Sequence, residues 1–170
     1  YREPMSKHTS MRIGGLADVF FKPADIEDLK SIYRVAREEN IPLTLMGAGS
    51  NTLVKDGGLR GFVVTPPITL NECTFRDVSE AAGEIEIGAN VKITRAVHFA
   101  KENFLTGLEE WVGIPGSIGG AILMNAGAHG LEAKDVIREI TVLDKDGQVT
   151  TYPREKLDFE LEVAVVIGKE

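Results

Sequence analysis

The sequence predicts an α+β fold built as two small lobes, and three observations lead to this prediction. First, strand and helix signals alternate as β-α-β in the opening part of the chain. Second, strand signals joined by turn residues, typical of antiparallel hairpins, follow later. Third, 170 residues with 43% hydrophobic and 26% charged side chains suit one compact domain, or two lobes that share a ligand cleft.

The first lobe is predicted over residues 1–66 and begins with a polar stretch, residues 1–15. Asp25 is a suitable N-cap for a helix that Asn40 and Pro42 end. The apolar face of this helix is marked at helical spacing by Ile26, Leu29, Ile32, Tyr33 and Ala36. The strands of this lobe are predicted at residues 16–21, 43–46, 53–54 and 62–64, with a turn at 56–58.

The second lobe is predicted over residues 67–170 and mixes hairpins with helices. Its strands are predicted at residues 72–78, 84–88, 136–143, 148–152 and 162–167. Its helices are predicted at residues 92–103 and 117–123. A hairpin turn is predicted at Asp144-Lys145-Asp146-Gly147.

Composition excludes several classes of function. The net charge is −7, with 19 basic against 26 acidic residues, and no basic stripe suggests a nucleic-acid surface. No apolar stretch approaches the roughly 20 residues of a membrane span, and no signal-peptide pattern is found. The single cysteine, Cys73, excludes an internal disulfide and favours a buried free thiol in a reducing compartment, hence the cytoplasm. No spacing of histidine, cysteine and acidic residues predicts a metal site.

Two glycine-dense segments are the most informative feature of the chain. We call residues 46–52 the first glycine segment and residues 113–120, which run on to residue 128, the second. Glycine exposes consecutive backbone N–H groups and reaches the dihedral angles that form anion-binding concavities. Two such segments far apart in sequence indicate one long phosphorylated ligand held at two places, as a dinucleotide cofactor would be.

The first glycine segment differs from the known phosphate loops. Gly47 and Gly49 match two glycines of the dinucleotide-binding fingerprint, but Thr52 occupies the third position and no helical pattern follows. The Gly-Lys-Ser/Thr of a P-loop is also missing. A turn between strands remains, whose N–H groups, with the side chains of Ser50 and Asn51, can hold a pyrophosphate. An ordinary tight turn is the alternative.

The second glycine segment carries a stronger indication. Pro115 fixes a turn, Gly116 permits close approach, and Ser117 is a good N-cap for a helix to residue 123. Gly119 and Gly120 inside that helix each cost about 1 kcal/mol relative to alanine. This pattern indicates that a flat ring system or a phosphate packs on the backbone. Close packing of the helix on a strand is the alternative.

Ser117 also raises the possibility of a serine hydrolase. The surrounding sequence lacks the first glycine of the nucleophile-elbow motif G-x-S-x-G. The histidines that could act as its base are His8, His98 and His129, and His98 lies beside the apolar face of a predicted helix, where packing is the commoner role. The hydrolase alternative therefore rests on one imperfect motif.

Three blocks occur in order along the chain. They are Ser6-Lys7-His8-Thr9-Ser10-Met11-Arg12-Ile13-Gly14-Gly15, then Gly47-Ala48-Gly49-Ser50-Asn51-Thr52-Leu53-Val54 with Gly58-Leu59-Arg60-Gly61, then Gly107-Leu108-Glu109, Gly113-Ile114-Pro115-Gly116-Ser117-Ile118-Gly119-Gly120 and Asn125-Ala126-Gly127-Ala128-His129-Gly130. In order and spacing the chain resembles the UDP-N-acetylenolpyruvoylglucosamine reductase family, and the resemblance covers essentially the whole chain.

The resemblance implies a two-lobed FAD-binding module of the vanillyl-alcohol-oxidase/p-cresol methylhydroxylase type. It also implies NADPH as co-substrate and UDP-N-acetylglucosamine enolpyruvate as substrate, in peptidoglycan precursor synthesis. The residues implied to bind FAD lie in the two glycine segments and just after them: Met46, Gly47, Ala48, Gly49, Ser50, Asn51, Thr52, Gly113, Ile114, Pro115, Gly116, Ser117, Gly119, Gly120, Asn125, Ala126 and Gly127.

The resemblance places no catalytic residue within this sequence. The serine that protonates the substrate, and a glutamate, belong in the family to a C-terminal substrate domain that we expect to be absent here. The family's Tyr-Arg pair follows the stretch matching residues 157–159, but here a segment is expected to be missing between Glu160 and Glu162. Arg154 is expected to be a surface charge. The alternative within this fold is the FAD-binding module of another oxidoreductase.

Overall fold

Strands and short helices alternate along the chain, which confirms the α+β class. The computed structural model describes residues 1–79, 82–144, 147–157 and 165–167. The strands are β1 Glu3–Pro4, β2 Leu16–Phe21, β3 Leu43–Leu45, β4 Thr52–Val54, β5 Leu59–Val64, β6 Cys73–Ser79, β7 Ala82–Ile87, β8 Gly127–Ala128, β9 Leu131–Glu132, β10 Glu139–Leu143, β11 Val149–Pro153 and β12 Val165–Ile167. The α-helices are α1 Ile26–Glu38, α2 Ile93–Glu102, α3 Ile118–Leu123 and α4 Ala133–Val136. Among these helices in the described part of the chain, none has the length and apolarity needed to cross a membrane.

A four-stranded sheet in the order β1-β2-β5-β3 forms the first lobe. Strands β2, β5 and β3 are parallel, while β1 pairs antiparallel with β2. Helix α1 provides the long connection from β2 to β3 that parallel pairing requires. Strand β3 then delivers the chain directly into the first glycine segment.

Helix α1 begins where the sequence predicts. Asp25 is its N-cap, and Asp25 Oδ1 accepts hydrogen bonds from the N–H groups of Glu27 and Asp28 at 3.0 and 2.9 Å. Leu29 and Ala36 are buried, as expected of its apolar face. Asn40 takes a left-handed conformation with φ of 52° just after the helix, so the predicted end is also confirmed.

Residues 1–15 are polar in sequence, yet they contain regular structure that the sequence analysis did not predict. They include β1 and a 3₁₀ turn at Met5–Lys7, and the side chain of Met5 is fully buried in the first core. Residues 5–15, which we call the N-terminal strap, are anchored because Met5 N donates to Gly15 O at 3.0 Å. The pattern misses this because Met5 is a single apolar residue among polar neighbours.

The part of the chain predicted as the second lobe contains three antiparallel strand pairs among the described residues, β6 with β7, β8 with β9 and β10 with β11. Helix α2 buries Ile93, Ala96 and Ala100, which confirms the predicted helix. The pairing of β10 with β11 confirms the predicted hairpin, although Lys145 and Asp146 of its turn lie outside the described residues.

The strand predicted at 136–143 starts too early. Residues 133–136 form helix α4, and β10 begins only at Glu139. Glu132 and Asp135 make a capping box, in which each side chain accepts from the backbone N–H of the other residue. The capping box stabilises a helical turn over Val136, a β-branched residue that favoured the strand prediction.

Two separate clusters of buried side chains support the sheet and the helices. The first consists of Met5, Ala17, Met46, Val54, Leu59 and Val63. The second consists of Val91, Ile93, Ala96, Trp111, Ile118, Ala121, Ala126 and Ala133. The division of the chain into lobes at residue 66 stays a prediction.

The last described strand returns to the first lobe. Strand β12 pairs in parallel with β4, the strand that follows the first glycine segment. Residues 162–164 of the predicted final strand lie outside the described residues, as does the expected gap near Glu160. The pairing means that residues 165–167 support the first glycine segment although the sequence assigns them to the second lobe.

Two single side chains differ from expectation. His98 does not pack in the core: its side chain is 70% exposed and Nε2 lies 3.2 Å from Glu102 Oε1. Cys73 is half-buried rather than buried, and burial raises the pKa of its thiol. Both side chains are therefore more exposed than the sequence predicted.

Candidate functional site

The first glycine segment is a turn between β3 and β4, as predicted. It starts at the buried Met46, whose N–H donates to Val64 O at 2.9 Å. Gly49 has φ of +68°, and a Cβ built on it would lie only 2.0 Å from His8 O. Only glycine fits there, because the N-terminal strap passes directly against the turn.

The N–H groups of this turn are left without acceptors. Within the described chain, no acceptor is found for the N–H groups of Gly47, Ala48, Gly49 and Ser50. The carbonyl of Gly49, in contrast, accepts from Ser10 N at 3.1 Å. Successive unpaired N–H groups on a turn form an anion-binding concavity, so the turn has the donor set that a phosphate needs.

The second glycine segment is held against residues 89–93. Ile93 N donates to Gly116 O, and Ile118 N donates to Val91 O, at 3.1 and 2.9 Å. A Cβ on Gly119 would lie 2.9 Å from the Ala89 Cβ and 3.0 Å from its carbonyl oxygen. Close packing, the alternative that the sequence left open, therefore explains Gly119.

Close packing does not explain Gly116 or Gly120 in the same way. A Cβ on Gly120 would meet only Ser117 Oγ, at 3.4 Å. A Cβ on Gly116, where φ is +141°, would lie 3.1 Å from Ser50 Oγ, which belongs to the other glycine segment. These two glycines keep open the space where the two segments approach each other.

The two glycine segments meet around the side chain of Ser117. A Cβ on Gly47 would lie 2.8 Å from Ser117 Oγ and 3.6 Å from the Cα of Gly120. Ser50 faces Gly116 across the same junction. The prediction that both segments hold one ligand is therefore geometrically feasible, because they form two sides of one site.

Ser117 Oγ is buried without a hydrogen-bond partner. Ser117 is 3% exposed, and no partner for its hydroxyl is found in the described parts of the chain. It occupies the N-cap position of α3, as predicted, but its side chain does not cap the helix. An orphaned buried hydroxyl costs about 1–3 kcal/mol, which a ligand with an acceptor oxygen would recover.

The serine hydrolase alternative finds no support in this geometry. Ser117 Oγ has no histidine partner in the described residues, so no base is in place to activate it. His8 is paired with Glu3 and stacked on Phe20, and His98 with Glu102. His129 lies exposed in the turn between β8 and β9.

The start of the second glycine segment is a turn that follows the buried Trp111. Ile114 N donates to Trp111 O at 3.1 Å, and Gly113 has φ of +89° with open space around it. Ile114 packs against the second core. Gly113, Ile114 and Pro115 therefore lead the chain from that core to the junction at Gly116.

Residues 125–127 follow α3 as a tightly held turn. Asn125 has φ of 45° and is 7% exposed. Its Nδ2 donates to Glu132 Oε2 at 2.8 Å, and its Oδ1 accepts from Lys134 N at 3.0 Å. Ala126 N donates to Ala121 O, and Ala126 O accepts from Ala133 N. These residues would therefore contribute a rigid surface rather than free hydrogen-bonding groups, and their role at the cofactor stays a prediction.

Glu132 holds the side chain of Asn125 in place, and the sequence analysis did not identify it. Besides Asn125, it pairs with the ammonium group of Lys134. The hydrogen bonds from Lys134 and Asn125 hold the pKa of its carboxyl below the ordinary glutamate value. The spacing of Glu132 and Asp135, which suits a capping box, was the signal that could have identified it.

Comparison with known proteins agrees with the resemblance that the three blocks indicate. A family model described as FAD binding domain matches residues 17–152. The UDP-N-acetylenolpyruvoylglucosamine reductase of Desulforamulus reducens is 43% identical over 157 residues, covering 92% of this chain and 50% of that protein. The resemblance found from the three blocks is thereby confirmed, and the chain spans about half the length of the curated relatives it matches.

Solved structures support the same fold. The UDP-N-acetylenolpyruvylglucosamine reductase of Thermus caldophilus matches with a TM-score of 0.77 and 27% identity, over 97% of this chain and 56% of that one. A VAO-type flavoprotein of Myceliophthora thermophila C1 matches with a TM-score of 0.60 and 20% identity, over 81% of this chain and 26% of that one. The predicted vanillyl-alcohol-oxidase type of fold is confirmed.

Replacing Ser117 should move stability and ligand binding in opposite directions. We expect Ser117→Ala to leave the unliganded protein equally stable, or more stable by about 1 kcal/mol, because it removes an unpaired buried hydroxyl. Affinity for FAD should fall about tenfold, because the ligand loses a hydrogen bond. Urea unfolding and FAD titration measure the two effects, with the exposed Ser31→Ala on α1 as control. A loss of stability without FAD would contradict this account of Ser117.

Stability should depend on the charge of Glu132. Because its pKa is lowered in the folded state, its contribution is present at neutral pH and lost as pH falls through that lowered pKa. We expect Glu132→Gln to have a lower free energy of unfolding than the unmodified protein at neutral pH, and this difference to become smaller in acid. Urea unfolding at several pH values measures it. Glu110→Gln, at an exposed position, should show no such pH-dependent difference. A difference independent of pH would refute the electrostatic explanation.

Proposed function

Because this chain belongs to the family of FAD binding domains, we propose that its two glycine segments hold FAD for a reductase. The substrate of that reductase is UDP-N-acetylglucosamine enolpyruvate, and NADPH is the reductant. The substrate and the reductant are assigned from the names of the relatives and from the family resemblance. This chain matches about half the length of those relatives. The whole protein would supply UDP-N-acetylmuramate for peptidoglycan.

One observation supports this proposal more than any other. Two glycine segments, separated by 60 residues in the sequence, meet at the Ser117 hydroxyl, for which the described residues offer no partner. A dinucleotide has a diphosphate between two ring systems. Its site therefore needs hydrogen-bond donors without bulky side chains around the diphosphate, and flat surfaces against the rings. The uncrowded junction of Gly47, Gly116 and Gly120 meets the first requirement.

Each part of the site has a distinct task in this proposal. The N–H groups of residues 47–50 and the hydroxyl of Ser117 would bind the diphosphate. The turn at residues 113–116 and the rigid turn at residues 125–127 would border the isoalloxazine ring. Asn125, fixed by Glu132 and Lys134, keeps the second turn in place.

FAD supplies hydride transfer between NADPH and the enolpyruvyl double bond. The residues of this chain bind and orient the cofactor and exclude water from it. The resemblance assigns catalysis to an arginine, a serine and a glutamate and matches none of them to a residue of this chain, so activity requires more than the cofactor-binding residues. The substrate nucleotide, NADPH and the free thiol of Cys73 together support a cytoplasmic location.

A different oxidoreductase of the same fold is the second candidate. The fold similarity to a VAO-type flavoprotein at 20% identity supports it, because the same architecture accompanies other chemistry. The two candidates share the cofactor and differ in the substrate. A test with the substrate therefore has to follow the test of the cofactor.

Binding of FAD is the first test. We expect the intact purified protein to show flavin absorbance bands between roughly 300 and 550 nm that survive desalting. Gly116→Ala should lose them, because its Cβ would enter the junction 3.1 Å from Ser50 Oγ. Gly107→Ala is the matched control: its φ of +113° is equally unfavourable for alanine, but its surroundings are open.

The outcomes separate the candidates. Flavin bands in the unmodified protein and in Gly107→Ala, but not in Gly116→Ala, would support the site. Oxidation of NADPH that depends on UDP-N-acetylglucosamine enolpyruvate would then support the reductase, and flavin binding without it would favour another oxidoreductase. An intact protein that gains no bands with added FAD would contradict the proposal.

A further inference from the structure

Neither glycine segment carries a charged side chain. Residues 46–52 and 113–120 contain no lysine, arginine or histidine. A dinucleotide diphosphate has a negative charge on each phosphate, and the protein as a whole has a net charge of −7. Backbone donors are strong partners, but a cation at the same site would offset the repulsion. An unpaired cation on a residue attached to either segment would therefore complete the site.

The N-terminal strap is bonded to the first glycine segment and to the chain just beyond the strand that follows it. Ser10 N donates to Gly49 O at 3.1 Å, and Gly15 N donates to Lys55 O at 3.0 Å, beyond β4. A Cβ on Gly49 would lie 2.0 Å from His8 O, so the backbones of strap and turn are in contact. The strap contains the first of the three blocks that resemble the family. The proposed function gives the strap no role in binding the ligand.

Arg12 is the cation of the strap that no acidic residue neutralises. Lys7 and His8 both pair with Glu3. Arg12 is exposed and makes no ion pair with any residue that the structure describes. It lies two residues beyond Ser10, the residue bonded to the first glycine segment.

The backbone at Arg12 is held in an unfavourable conformation. Its φ of +56° is left-handed, which is uncommon for a residue other than glycine. The buried Thr9 maintains it, because its Oγ1 donates to Ile13 O at 2.8 Å and its carbonyl accepts from Arg12 N at 3.1 Å. Strain of this kind persists where surrounding contacts enforce it, and it is common at ligand sites.

We propose that Arg12 is a binding residue for the diphosphate of FAD, presented by the N-terminal strap beside the first glycine segment. The inference rests on the proposed function, since it assumes that the junction holds FAD. A guanidinium group suits this task because its planar set of donors can bind phosphate oxygens in pairs.

Lys92 is one competing cation among the residues that the structure describes. It faces Ser117 in an isolated antiparallel pair and is exposed. The structure favours Arg12, because the four N–H groups without acceptors lie on the segment that the strap contacts. If Lys92 were the phosphate partner instead, Lys92→Gln and not Arg12→Gln would weaken binding.

The test compares Arg12→Gln with Arg2→Gln in the intact protein. Arg2 is a close match for Arg12, because it is also exposed and has φ of 54°. It lies outside the strap that contacts the first glycine segment, and its N–H donates to Asp18 O. After removal of bound flavin, FAD is titrated by flavin fluorescence at low and at high ionic strength. Riboflavin, which has the ring but no phosphate, is titrated in parallel.

We expect Arg12→Gln to bind FAD about tenfold more weakly at low ionic strength, with a flatter dependence on salt. Arg2→Gln should match the unmodified protein, and riboflavin should bind all three alike. Equal FAD affinity in Arg12→Gln and Arg2→Gln, a loss in Lys92→Gln alone, or a parallel loss of riboflavin would overturn the inference. If the unmodified protein failed to bind FAD, the proposed function would fall first, so the two failures are distinguishable.

Discussion

The close approach of the two glycine segments at Ser117 is the constraint on which the rest of the structure depends. A single methyl group at Gly47 or Gly116 would enter the junction, so the main chains can meet there only without side chains. The sheet of the first lobe delivers one segment through β3, and residues 89–93 hold the other by backbone hydrogen bonds. Neither glycine segment forms the site alone.

Rigid supports surround a site whose own residues make few contacts. The N-terminal strap is bonded to Lys55 just after β4, β12 pairs with β4, and the hydrogen bonds of Glu132 hold the turn at Asn125. The free N–H groups of residues 47–50 and the hydroxyl of Ser117 are thereby fixed before any ligand arrives. Such preorganisation lowers the entropy lost on binding, since the donors need not be ordered by the ligand.

The sequence predicts the parts of this arrangement that follow a periodic or local pattern. Helix α1 with its Asp25 cap and both glycine turns were identified, because caps and turns depend on neighbouring residues. The burial of Met5 and the lack of a hydrogen-bond partner for Ser117 Oγ in the described residues were not predicted. Each depends on segments that are distant in sequence. Val136, the last residue of helix α4, was assigned to a strand because a capping box outweighed the preference of a β-branched residue. Assignment of individual residues to FAD stays a prediction.

The central claim is that both glycine segments contact one ligand at once. Hydrogen exchange of the intact protein, measured by mass spectrometry with and without FAD, tests it directly. The account predicts that FAD slows exchange of the amides at residues 47–50 and of those at residues 113–120 together, with the same dependence on FAD concentration. Protection of only one segment, or of neither, would contradict it.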